Sequence, residues 1–293
     1  MNLSAYKTGN TIKTFMFLAA MTALLLGIGF LVGGTGGLVV FLFLAVAMNF
    51  AMYWFSGPMA LKMSRARQVD ESEEPELHRM VASLAQRAGV PKPGVYVIPQ
   101  MQPNAFATGR SPEHASIAVT EGIQRALPPR ELEGVIAHEM AHIKNRDILI
   151  SSIAAMIAGA ISYAMWALLL FGGDDDNPIA AIGAFFLAPL AAGILQMAIS
   201  RQREYVADTT GAELLGDPLP LADALGKLQM GANAVPMEVN QASAPLYIVN
   251  PLSSGKGRGR RMANLFSTHP PMEERIERLR RMAGQPSMVL PAF

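Results

Sequence analysis

Four stretches of this 293-residue chain contain no Asp, Glu, Lys or Arg: residues 15–32, 38–55, 148–171 and 179–200. A helix needs about 20 apolar residues to cross the hydrocarbon core of a bilayer. The stretches therefore restrict the chain to spanning helices or to an unusually large buried helical core. Only 16% of residues are charged and 51% are hydrophobic, against about 25% charged in an ordinary soluble domain. Spanning is the reading this favours. The stretches form two pairs. Gly33-Gly34-Thr35-Gly36-Gly37 separates the first two and reads as a tight turn, since no strand precedes it and no GK[ST] follows. Residues 172–178, with three aspartates, separate the other two. No small-residue cleavage site followed by a soluble chain succeeds the first stretch, so it reads as an uncleaved anchor. The second pair is rich in Ala and Gly, and Pro189 is expected to kink its last helix.

Basic residues flank every stretch on one side only. Lys7 and Lys13 precede the first, and Lys62, Arg65 and Arg67 follow the second. Lys144 and Arg146 precede the third, and Arg201 and Arg203 follow the fourth. Neither turn carries a Lys or Arg. The positive-inside rule then places both termini and both polar regions in the cytoplasm. The net charge of +1 gives no reason to expect a nucleic-acid partner. The chain has no cysteine. That excludes disulfides, thiolate metal ligands and a cysteine nucleophile, and fits a reducing compartment.

The expected organisation is an N-terminal transmembrane hairpin (1–57), a polar region (58–147), a second hairpin (148–200) and a second polar region (201–293). In the first polar region, Leu77, Met80, Val81, Leu84 and Ala85 recur at helical spacing until Gly89. Residues 95–98, 105–108 and 116–120 read as short strands, with 109–112 as a turn. Leu132, Val135, Ile136, Met140 and Ile143 then mark another helix. Helices over 204–215, 221–230 and 272–282 follow the fourth stretch. Residues 253–261, rich in Gly, Ser, Lys and Arg, read as a disordered loop or as a loose contact with anionic lipid headgroups.

The helix ending near Ile143 carries His138-Glu139-Met140-Ala141-His142. Each helical residue advances about 100°, so the two imidazoles project from one face, a turn apart, and can reach one ion. Glu139 is placed to take a proton from a water that the ion activates. By residue frequency such a match arises in roughly one chain of this length in a hundred. A catalytic zinc needs a third protein ligand and an open position. Downstream candidates are Asp147, Glu204, Asp208, Glu213, Asp217, Asp223 and Glu238. An antiparallel hairpin returns the chain to the face it left, which selects Glu204, just after the fourth stretch. Asp208, one turn further, can accept a hydrogen bond from a ligand imidazole.

Together these residues resemble the HtpX family of membrane zinc metalloproteases, relatives of the CAAX prenyl proteases. The resemblance rests on Asn104-Ala105-Phe106-Ala107-Thr108-Gly109, on His138-Glu139-x-x-His142 continuing to Asn145 and Asp147, on Ser200-Arg201-x-Arg203-Glu204-Tyr205-x-Ala207-Asp208, and on Thr268-His269-Pro270-Pro271. It implies one Zn2+ per chain on His138, His142 and Glu204, and a zincin-like α+β catalytic domain on an α-helical membrane protein. It implies quality control of inner-membrane proteins from a cytoplasmic site. It also implies that Asn104 and Ala105 lie on a sheet edge that receives an extended substrate, and that His269 steadies an oxyanion. Two rival readings remain in view. A membrane scaffold with a structural zinc would have no need of Glu139. An intramembrane protease would carry its motif inside an apolar stretch, whereas here it precedes residue 148.

Overall fold

The computed structural model describes residues 3–154, 201–234, 247–248 and 270–285. The expected spans over 155–171 and 179–200, Pro189, the 253–261 segment, Glu238 and His269 lie outside the described residues. The chain opens with helix α1 (Leu3–Met63), which Gly33 and Gly34 break into two. Gly34 has φ +56°, a conformation that costs glycine little and other residues much. The two halves fold back on each other. Asn49 Nδ2 donates to Thr22 Oγ1 at 2.7 Å, and a Cβ at Gly29 would lie 2.6 Å from that of Phe41. Both halves are long and apolar enough to span a membrane, over Thr8–Gly27 and Gly33–Met63, and both are mostly unburied within the protein.

A four-stranded sheet follows, in the order β1 (Arg67–Gln68), β2 (Gly94–Ile98), β4 (Ala115–Thr120), β3 (Ala105–Gly109). The central β2–β4 pair is parallel and the outer pairs are antiparallel. The short β1 escapes sequence reading, because two residues carry no alternation. Helix α2 (Pro75–Ala88) is stopped by Gly89 at φ +69°, where a left-handed residue is needed and glycine is cheapest. Helix α3 (Glu121–Ala126) is capped by Thr120, whose hydroxyl accepts from the Ile123 N–H at 3.1 Å.

Strands β3 and β4 are buried on both faces, and alternation explains which side chain goes where. Ala105, Ala107, Ile117 and Val119 face the main core. Phe106, Ala118 and Ile98 face the other way, onto Ala60 and Leu61 at the end of α1 and onto Tyr247. Helix α4 (Pro129–Lys144) lies beneath the main face with Val135, Ile136 and Met140 fully buried. Helices α5 (Arg201–Leu215), α6 (Leu219–Ala234) and α7 (Met272–Met282) complete the core. Residues 148–154 are helical, and Ile153 packs between Leu18 and Met52 of the N-terminal hairpin.

Candidate metal centre

Two close backbone contacts seat the site on α4. A Cβ at Gly211 of α5 would lie 3.0 Å from both N and Cα of His138, and one at Gly134 would lie 2.8 Å from the Leu221 nitrogen of α6. Glycine at both positions lets the helices press backbone to backbone. This brings Glu204 of α5 against the two histidines of α4.

The three candidate ligand groups converge. His138 Nε2 and His142 Nε2 are 3.1 Å apart. Glu204 Oε2 lies 3.6 Å from His138 Nε2, and its Oε1 lies 3.7 Å from His142 Nε2. A tetrahedral ion with nitrogen and oxygen ligands at about 2.0–2.1 Å requires ligand atoms roughly 3.3 Å from one another. The two imidazole nitrogens stand near that spacing, and one carboxylate oxygen of Glu204 lies within 4.8 Å of both, so this donor set fits such an ion.

Each imidazole is held through its other nitrogen. His138 Nδ1 is 3.0 Å from Asp208 Oδ1, and His142 Nδ1 is 3.0 Å from Asp147 Oδ1. A carboxylate on Nδ1 fixes the ring and leaves Nε2 for an ion. Asp208 thus faces Nδ1 of His138. Asp147, weighed above as a ligand, instead faces Nδ1 of a candidate one. It reaches back because the helix breaks: Arg146 adopts φ +58°, so the residues between His142 and residue 148 are not a continuous helix.

Arg275 of α7 was not singled out by sequence. It is completely buried. Its Nε and Nη2 donate to Asp208 at 2.9 and 2.7 Å as a two-pronged fork, and its Nη1 lies 3.4 Å from Glu204 Oε2. The sequence does hold a signal for it. Met272, Ile276 and Leu279 form the apolar stripe of α7, and position 275 falls on that stripe. A charge on a buried stripe demands a partner.

Electrostatics follow from this packing. Burial works against the charge on Asp208, but the Arg275 guanidinium and His138 hold its carboxyl below the usual range. Burial also works against protonated His138 and His142. Asp208 and Glu204 nonetheless raise the first, and Asp147, Glu204 and Glu139 raise the second to about 9. Glu139 is 3% exposed, and burial pushes its carboxyl up, against the histidines and a backbone hydrogen bond from Ala107.

That last bond ties Glu139 to the edge strand β3. Asn104 precedes this strand and Ala105 opens it, and both are fully buried. Ala105 N–H donates to Asn104 Oδ1 at 3.1 Å, and the Ala105 carbonyl accepts from Ile248 N–H at 3.2 Å. Of the other carboxylates weighed as ligands, Asp217 faces Arg130 at 3.9 Å and Asp223 faces Arg280 at 3.6 Å. His78 contacts the Val69 carbonyl at 3.0 Å, away from the site.

Comparison with known proteins falls on the same elements. The model of peptidase family M48 matches residues 71–283. A protease HtpX homolog of Persephonella marina is 54% identical over 286 residues, covering 94% of this chain and 98% of the relative. One from Pyrococcus furiosus is 50% identical, covering 96% and 99%. The crystal structure of S. mikatae Ste24p superposes with a TM-score of 0.50 at 20% identity, covering 94% of this chain and 67% of that one, which is a likeness of fold. The family match takes in both helices that supply the converging ligands as well as the one that carries Arg275, and the chain belongs to peptidase family M48.

Proposed function

We propose that this membrane metalloprotease uses zinc and cleaves internal peptide bonds of misfolded or damaged membrane proteins at the bilayer surface. The carrying observation is the convergence of His138, His142 and Glu204 at ligand spacing beside a buried Glu139. Two imidazoles and one carboxylate suit this ion and leave a fourth position open. Zinc held there supplies a Lewis acid and a water of lowered pKa.

The chain's own residues do the remainder. Glu139 takes a proton from the attacking water on a carboxylate oxygen and delivers it to the leaving amide nitrogen. The Ala107 N–H keeps that carboxylate under β3. Asp147 and Asp208 hold the two rings, and Arg275 holds Asp208 and Glu204 together. In this proposal an extended substrate adds along β3, near Asn104 and Ala105, and displaces Ile248 from the Ala105 carbonyl. His269, outside the described residues, donates to the oxyanion. The protein is an inner-membrane, multi-pass enzyme with four transmembrane helices in two hairpins around polar regions 58–147 and 201–293. Its basic flanks support a cytoplasmic active site.

The test is cleavage of a misfolded membrane protein by the enzyme reconstituted in vesicles, with product termini mapped. Chelator should stop cleavage at internal bonds and zinc should restore it. Cleavage indifferent to chelator, or release of terminal residues only, would contradict the proposal.

A further inference from the structure

The end of the second apolar helix packs on the turn between β3 and β4. A Cβ at Gly57 would lie 3.1 Å from Gly109 Cα, and Gly109 itself has φ +139°. Beside this close approach lies a cleft of about 560 Å³, lined in part by Trp54, Lys62, Tyr96, Arg110, His114 and Ser116. None of the described residues that line it is acidic. The Arg110 guanidinium stacks 4.2 Å from the centre of the Trp54 ring. Neither Arg110 nor Lys62 has an ion-pair partner among the described residues. His114 engages Ser111 through Nδ1 at 3.1 Å, which leaves Nε2 available. Arg110 also borders a second cleft of about 240 Å³ with Arg146, Tyr53 and Thr14, again with no acid among the described lining residues.

The position of Lys62 along the helix, with Arg110 stacked on Trp54 of the same helix, selects their anion. Phe43, Val46, Phe50 and Phe55 are exposed large apolar side chains on the same helix, as a lipid-facing surface requires. From Trp54 to Lys62 the helix rises about 12 Å at 1.5 Å per residue, which leads from the edge of the hydrocarbon into the headgroup layer. Aromatic rings gather at that depth, and cations there attract anionic headgroups.

We infer that this cleft binds the headgroup phosphate of an anionic phospholipid. Lys62 and Arg110 neutralise the phosphate, His114 and Ser116 add hydrogen bonds, and Trp54 lies against the glycerol and upper acyl chain. The site is separate from the metal centre and stands whether or not the proposed substrates are right.

Native mass spectrometry of the intact protein, released from micelles doped equally with phosphatidylglycerol and phosphatidylcholine, tests this. The wild-type protein should retain phosphatidylglycerol in preference. Lys62→Gln with Arg110→Gln should weaken that retention about thirtyfold, from the loss of two surface cations. The charge-conserving pair Lys62→Arg with Arg110→Lys should keep it, as should Lys92→Gln with Arg125→Gln at exposed sites elsewhere. If the first pair does not fold, the wild-type protein still decides, because its preference should fall steeply with added salt. Equal retention of phosphatidylcholine, or unchanged retention in the Gln pair, would overturn the inference. Displacement of the lipid by equimolar inorganic phosphate would reassign the cleft to a soluble phosphate.

Discussion

Two imidazoles, three carboxylates and a guanidinium share a space nearly closed to water: the side chains of His138, Glu204, Asp208, Arg275 and Asp147 are at most 5% exposed, and that of His142 is 15% exposed. Removing one member of such a set leaves the rest uncompensated. Arg275→Gln should therefore cost about 3–5 kcal/mol in unfolding free energy. It should also lower zinc affinity about 10–100-fold, the usual effect of losing a partner behind the ligands. Arg275→Lys should recover the charge but not the fork, and fall between. Competition with a zinc-chelating dye, with thermal melting alongside, measures both; an affinity equal to wild type would remove Arg275 from the site. Asp147→Ala should show a similar affinity loss through His142. Sequence disclosed His138, Glu139 and His142 because their relationship is local, one helical turn. Glu204 and Asp208 are reached from the expectation that an antiparallel hairpin returns the chain to the face it left, and α5 does bring both against His138. Asp147 was hidden because its role depends on the left-handed Arg146, and Arg275 because its neighbours Glu273, Glu274, Glu277, Arg278, Arg280 and Arg281 give α7 the look of a solvated helix.

At the scale of elements, the centre depends on how tightly α5 lies on α4. Gly211→Ala would place a methyl 3.0 Å from the His138 backbone. It should destabilise by about 1–3 kcal/mol, as overpacking does, and weaken zinc binding by shifting Glu204. Gly226→Ala in α6 is the control. Its nearest neighbour is Ile276 Cδ1 at 3.9 Å, so a better helix former should be neutral or stabilising by roughly 0.5–1 kcal/mol. Urea unfolding of both variants in detergent decides, and a Gly211→Ala protein as stable as wild type would refute the close-packing account. Helices with a strong apolar period were legible nearly to the residue: 272–282 was expected and Met272–Met282 is found. The strands were legible as 95–98, 105–108 and 116–120. Their order was not, because the parallel pairing of β2 with β4 is set by contacts between distant residues.

At the scale of the whole molecule, the N-terminal hairpin exposes Phe15, Phe30, Phe43, Val46 and Phe50 along its length. Surface of that kind needs lipid or detergent. The protein should stay in the pellet when membranes are washed with alkaline carbonate and enter solution only with detergent; release by carbonate alone would contradict a spanning hairpin. Asn49→Leu removes the side-chain hydrogen bonds from Asn49 to Thr22 Oγ1 and to the Leu18 carbonyl of the other half. It should cost only about 0.6 kcal/mol, typical of such bonds between membrane helices.

The central claim joins these scales: a metal held by His138, His142 and Glu204 at the end of a membrane hairpin, with Glu139 moving the proton. Glu139→Gln changes one carboxylate oxygen to an amide and leaves all three ligands in place. The most direct measurement is metal content and proteolysis on the same reconstituted preparation of that variant. The account predicts one zinc per chain, as in the wild type, with cleavage abolished. Cleavage at the wild-type rate with zinc bound would contradict it.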